Sequence, residues 1–136
     1  IIDLAHAIPR GDVQPAAFEA WRVRSYHPPD AILLAVVDPG VGSRRRAIAL
    51  KLPGLVCVGP DNGLFSFLLY STDKYKAVEL VNPHYQLQTI SHTFHGRDIF
   101  APAAAYLAQD IPLEDFGPLT QELVRIPDPL LKVSFQ

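Results

Sequence analysis

An α/β fold in three layers, with a mainly parallel central sheet flanked by helices, is the architecture this sequence predicts. Three observations carry that expectation. Ala31 to Val37 is an unbroken apolar run without alternation, the pattern of a central strand covered on both faces. Shorter, largely apolar segments recur at 47–52, 55–58 and 77–80. Segments with helical spacing fall between and after them, and strands alternating with helices argue a layered α/β domain.

Ile1 to Ala5 opens the chain as a candidate for a short buried strand. Asp12 is placed to cap a helix with Pro15 in its first turn, where a missing N–H leaves no bond unmade, and with Ala17, Ala20 and Trp21 on one face. That helix should end near Tyr26, ahead of His27-Pro28-Pro29. After the Ala31–Val37 run come Asp38-Pro39-Gly40-Val41-Gly42-Ser43, then two strands on either side of Pro53-Gly54. Gly59 to Gly63 reads as a turn leading into a short amphipathic helix over 64–70, and 77–80 as a further strand. A polar loop over 82–92 precedes Thr93 to Pro102 and an alanine-rich helix that runs to about Gln109. Because proline is tolerated only in a helix's first turn, Pro102 dates the start of that helix to near Asp98, a plausible cap.

The 136 residues amount to one domain, and 49% hydrophobic against 19% charged residues supply one core while excluding a disordered tail or a coiled coil. No apolar run nears the roughly 20 residues of a membrane helix, and no signal-peptide pattern opens the chain. A soluble protein without a membrane partner is expected. One cysteine, Cys57, cannot form an internal disulfide framework, so the expected location is cytoplasmic. A net charge of −2, with Arg44-Arg45-Arg46 as the one dense basic cluster, argues against a nucleic-acid partner. The chain has no methionine, opens inside an apolar segment and closes on Leu130 to Phe135, which reads as a strand just beginning. A piece of a longer protein is the expectation.

In open α/β sheets ligands bind beyond the carboxyl ends of strands, so the segment Asp38 to Ser43 is the first place to look. A plain turn explains Asp-Pro-Gly equally well. The loop lacks the third glycine of a dinucleotide fingerprint and precedes a strand rather than a helix, and no Gly-Lys-Ser/Thr follows for a nucleotide P-loop. An arginine seven residues after Asp38, Arg45, could return on the neighbouring strand and pair with it, which would orient the guanidinium. A second candidate is His95-Gly96-Arg97-Asp98, just ahead of a helix; His95 could act as a base or hydrogen-bond donor, or simply satisfy loop backbone. His92 and His95 lie three apart, but a metal site needs a third ligand, and no metal is expected. Asp61-Asn62-Gly63 could touch a ligand or merely turn the chain, and Cys57 reads as core.

Three ordered motifs combine into something more specific: Ala35-Val36-Val37-Asp38-Pro39-Gly40-Val41-Gly42-Ser43, Val58-Gly59-Pro60-Asp61-Asn62-Gly63-Leu64, and Thr93-Phe94-His95-Gly96-Arg97-Asp98-Ile99-Phe100-Ala101-Pro102-Ala103-Ala104. Together with His6-Ala7-Ile8-Pro9 and Gly11-Asp12-Val13, they make nearly the whole chain resemble the S-adenosyl-L-methionine hydroxide adenosyltransferase family, formerly a domain of unknown function. The resemblance implies hydrolysis of S-adenosylmethionine to adenosine and methionine, by attack of a water-derived hydroxide on the ribose 5′ carbon, with no cofactor. It maps an Asp-Arg-His triad onto Asp38, Arg45 and His95, and puts Val41, Phe94 and Gly96 around the reacting carbon. In that scheme Arg45 stabilises hydroxide, Asp38 holds Arg45 and the water, and His95 accepts or relays the proton. Relatives that use fluoride or chloride carry a tyrosine where Asp38 stands and an aromatic residue where His95 stands, so the resemblance favours the hydroxide branch over halide transfer. A non-catalytic nucleotide- or protein-binding module is the other alternative.

The family's leading strand with its Asp-Phe-Gly acid has no counterpart in this sequence, nor has its C-terminal β-barrel domain. That barrel supplies adenine and methionine contacts, typically across the interface of a homotrimer. The expectation is therefore a single α/β domain over 1–136 that, alone, binds and turns over the substrate poorly.

Overall fold

The computed structural model describes residues 1–128. The apolar run Leu130 to Phe135, read above as the start of a strand, lies outside them. In chain order come α1 (Val13–Arg22), β1 (Ala31–Leu34), β2 (Ala47–Leu52), β3 (Leu55–Pro60), α2 (Ser66–Tyr70), β4 (Lys76–Glu79), a π-helical turn (Gly96–Phe100), α3 (Ala101–Leu107) and β5 (Leu119–Thr120).

The layered α/β architecture is present, but the sheet is mixed rather than mainly parallel. Its order is β1-β3-β2-β4-β5; β1 and β3 run parallel, and the other three pairings are antiparallel. The reason is connection length. Pro53-Gly54 joins Leu52 to Leu55 directly across the ladder, with Gly54 at φ +74°, and so short a link makes a hairpin, whereas a parallel crossover needs about a dozen residues. The Ala31–Val37 run is also not central. Its first four residues form β1, which among the described residues lies at one edge of the sheet and pairs with β3 alone. Both of its faces are nonetheless covered: Ala31 and Leu33 pack with the α1 and α2 layer, and Ile32 with the α3 layer. An apolar run reports which faces are covered and says nothing about how many edges are paired. Residues 1–5 form no strand and are exposed; among the described residues none pairs with them in the sheet.

Period-two alternation divides the core between the two faces. Ile48, Leu50 and Leu52 of β2 join Leu55 and Cys57 of β3 against Ala16 and Ala20 of α1 and Leu68 and Leu69 of α2. Ala47 and Ala49 face the other way, with Val58, Val78, Phe100, Ala103 and Phe116. The two alanines leave room for the ring of Phe100, which is fully buried; truncating it to alanine should cost about 3–5 kcal/mol.

At both predicted caps the acid does something else. Asp12 occupies the N-cap position of α1, yet its carboxylate makes no capping bond. Asp98 lies inside the helical segment, which begins at Gly96 rather than near Asp98. Pro102 deprives the carbonyl four residues back, that of Asp98, of its N–H, and the chain supplies a substitute: the Leu87 N–H donates to Asp98 O at 2.9 Å. A π-helical turn over the same residues accommodates the ring.

Candidate active site

Asp38 follows the carboxyl end of β1. The chain stays extended beyond the strand, with Ala35 N–H donating to Val58 O at 3.0 Å, and Asn62 Nδ2 donates to Val37 O at 2.9 Å. That amide fixes the peptide immediately before Asp38. The chain then reverses: Val41 N–H donates to Asp38 O at 3.2 Å and Ser43 N–H to Gly40 O at 2.9 Å, while Gly42 takes φ +78°. Gly42 also touches the other half of the site, since a Cβ there would stand 2.5 Å from the carbonyl oxygen of His92. Only glycine satisfies both constraints.

Arg45 returns toward Asp38 as the sequence spacing allows. Its Nε donates to Asp38 Oδ1 at 2.9 Å and its Nη2 contacts Oδ2, with both side chains nearly buried. The same Nη2 lies 2.8 Å from His95 Nδ1. Beneath the guanidinium the Phe100 ring centroid is 5.3 Å from Cζ, within cation–π range. The structure thus brings Asp38, Arg45 and His95 into one hydrogen-bonded chain.

That chain assigns a tautomer to His95. A guanidinium has donors and no acceptor, so Nδ1 must accept from Arg45, and a neutral imidazole then carries its proton on Nε2. In this state His95 donates at Nε2, and the one nitrogen with a free lone pair is already engaged.

A cavity of about 550 Å³ adjoins the cluster. Asp38, His95, Val41 and Gly96 line it, as do Val36 and Val37. Phe94 does not share that wall: its side chain is exposed, and the Arg97 guanidinium stands 5.1 Å above its ring. Arg45 sits behind the wall, bridging two of the residues that line it, Asp38 and His95. The opposite side of the cavity comes from the segment before α1, including His6, Pro9 and Arg10. His6 and Pro9 belong to a stretch that entered only through the family resemblance, and neither they nor Arg10 and Thr93 stood among the expected site residues. The signal that could have found them was the position of His6-Ala7-Ile8-Pro9 just before the first helix.

Asp61 and Asn62 serve the fold rather than the cavity. Asp61 accepts from Arg46 at 2.7 Å, and Asn62 makes the bond described above. Among the described residues no group of three or more potential ligands could hold a metal ion. Complete burial pushes the Cys57 thiol pKa far up, as suits a core residue.

Residues 1–117 match the family model described as the SAM hydroxide adenosyltransferase N-terminal domain. The chain belongs to that family. It is 47% identical to the (R)-S-adenosyl-L-methionine hydrolase of Salinispora arenicola, with 97% of this chain and 51% of that protein covered. The hydrolase of the same name from Thermus thermophilus is 43% identical over 93% of this chain and 53% of its own length. A fluorinase of Nocardia brasiliensis is more distant, at 21% identity over 86% of this chain and 47% of that protein. Among solved structures, an uncharacterized conserved protein of Thermotoga maritima superposes with a TM-score of 0.90 at 35% identity, covering 93% of this chain and 50% of that one. The chain therefore spans about half the length of the curated relatives it matches. Among the described residues no helix is long and apolar enough to cross a membrane.

Proposed function

We propose that the protein carrying this chain hydrolyses S-adenosyl-L-methionine to adenosine and L-methionine. The observation that carries this reading is the single Nη2 of Arg45, bonded to Asp38 and to His95 where both meet the cavity. It is supported by relatives named as hydrolases at 43% and 47% identity.

The leaving group sets the chemistry. A sulfonium departs as a neutral thioether, so neither a general acid nor a cofactor is required, and what remains is to place a water and take its proton. The Nε2–H of His95 donates to the water oxygen, and Asp38, whose carboxylate retains acceptor capacity beyond its bonds to Arg45, accepts a water proton. As the new C5′–O bond forms, the C5′–S pair goes to sulfur and the proton passes through Asp38 to solvent. Arg45 holds both partners in register and sets a positive charge beside the developing hydroxide. Val36, Val37 and Val41 lower the local polarity, which strengthens each of these contacts. A cavity of about 550 Å³ suits a nucleoside-sized ligand. Gly96 lines the wall beside Val36, and Phe94, turned outward here, meets substrate only if its side chain swings in.

Adenine and methionine contacts belong, in this reading, to parts of the protein outside these residues, in a cytoplasmic homotrimer. The family resemblance supports the trimer, and the lone buried Cys57 supports the compartment. Incubating the full-length protein with S-adenosylmethionine should release adenosine, read by chromatography, with no 5′-halogenated product when chloride or fluoride is added. Adenosine formed at the wild-type rate by Asp38→Ala or His95→Ala would overturn the assignment.

A further inference from the structure

The carboxylate of Asp98 takes no part in the chemistry above, yet it is wholly buried and every bond it makes ends on the segment that delivers His95. Oδ2 accepts the Ser91 N–H at 2.8 Å, and Arg97 Nε donates to Oδ1 at 2.6 Å. The backbone of the same residue holds two more points, its carbonyl taking the Leu87 N–H at 2.9 Å and its N–H donating to Phe94 O at 3.0 Å. Ser91 then passes the constraint on, its Oγ accepting the Phe94 N–H at 2.8 Å. Between the anchored Ser91 and Asp98 lie His92, whose carbonyl packs on Gly42, and His95.

We propose that Asp98 is a positioning residue of the hydrolysis: by tying Ser91 and Arg97 to one buried carboxylate it holds the 91–95 segment so that His95 Nδ1 meets Arg45. This rests on the function proposed above. A capping or purely structural carboxylate would change how much protein folds. A positioning carboxylate changes what each folded molecule does, because freeing Ser91 lets His95 leave Arg45 and exchange its tautomer.

The test uses full-length protein labelled with 15N-histidine, comparing wild type, Asp98→Ala and Asp98→Asn, with folding checked by near-UV circular dichroism. In Asp98→Ala the His95 ring nitrogens should move toward the averaged signal of a free imidazole, with kcat down about 10–100-fold and KM within about threefold. Asp98→Asn keeps an oxygen for the Ser91 N–H and the side chain's shape, so it folds; its His95 signal should move in the same direction, with kcat down about threefold. Either folded variant with wild-type His95 signals overturns the inference. Should Asp98→Ala fail to fold, the His95 signals of Asp98→Asn decide between the two roles. Wild-type protein that forms no adenosine would retire the proposed function, and the His95 signals would still decide the role of Asp98.

Discussion

Arg45 and Arg46 are neighbours in one tripeptide, each paired with an aspartate that follows a strand, and they do opposite work. The segment entering β2 is extended, so consecutive side chains leave on opposite sides. Arg45 turns to Asp38 and shares its Nη2 with His95 beside an open cavity. Arg46 turns to Asp61, bonds Thr120 Oγ1 and the carbonyl of Glu122, and Asp61 in turn accepts the Val124 N–H at 2.9 Å. The second pair thus closes on backbone and straps the 119–126 segment to the sheet, helped by Ser66 Oγ accepting the Ile126 N–H at 2.9 Å. A buried ion pair does not by itself mark an active site. What separates the two is what the aspartate has left to offer: Asp38 ends at a cavity, whereas the partners of Asp61 are all protein.

Substitution should divide the two pairs cleanly. The largest effect is expected from Asp38→Asn, with adenosine formation per folded molecule down about 10³-fold; the amide leaves Arg45 without its counter-charge, so the urea midpoint falls as well, and the loss per folded molecule is what marks this pair. Steady-state assay alongside denaturation measures both. Asp61→Ala should cost stability alone: it leaves Arg46 without its carboxylate and Val124 without an acceptor, a loss of about 3 kcal/mol in unfolding free energy, while whatever remains folded keeps its turnover. Equal damage to turnover from both substitutions would erase the distinction. Gly42→Ala should lie between, lowering kcat about tenfold, because a Cβ would have to displace the His92 carbonyl from a backbone that also needs positive φ.

The smallest effect concerns acid. The Arg97 guanidinium, followed by the Ser91 N–H, holds the Asp98 carboxyl well below the usual carboxylate range. A group whose pKa is depressed on folding stabilises the folded state at every pH above its unfolded value, about 4, and that stabilisation is lost as pH falls further. Urea midpoints taken between pH 6 and pH 3 should therefore fall more steeply for wild type than for Asp98→Asn. Parallel curves would mean that Asp98 carries no such pairing.

Local patterns carried part of this into view from the sequence. The spacing of Asp38 and Arg45 allowed their pairing, and the Pro53-Gly54 link already demanded the hairpin that makes the sheet mixed. Alternation could say that Arg45 and Arg46 part company, but which acid each meets depends on the sheet bringing β1 and β3 side by side. His95 is fifty residues from Arg45, and no local signal reports that its loop lies against Gly42; only the family motifs connected them. The π-helical turn was hidden for a different reason. Pro102 signals a missing N–H, and a helix start is one remedy; the Leu87 N–H brought in from a distant loop is another that sequence does not display. Edge and interior strands look alike as apolar runs, which is why β1 read as central.

Oxygen isotope labelling tests the central claim most directly. Full-length protein turning over S-adenosylmethionine in water enriched in 18O should place one 18O in the 5′-hydroxyl of the adenosine released and none in the methionine, as mass spectrometry would read. Adenosine without label, or consumption of substrate with no adenosine formed, would contradict the delivery of water to the 5′ carbon by Asp38, Arg45 and His95.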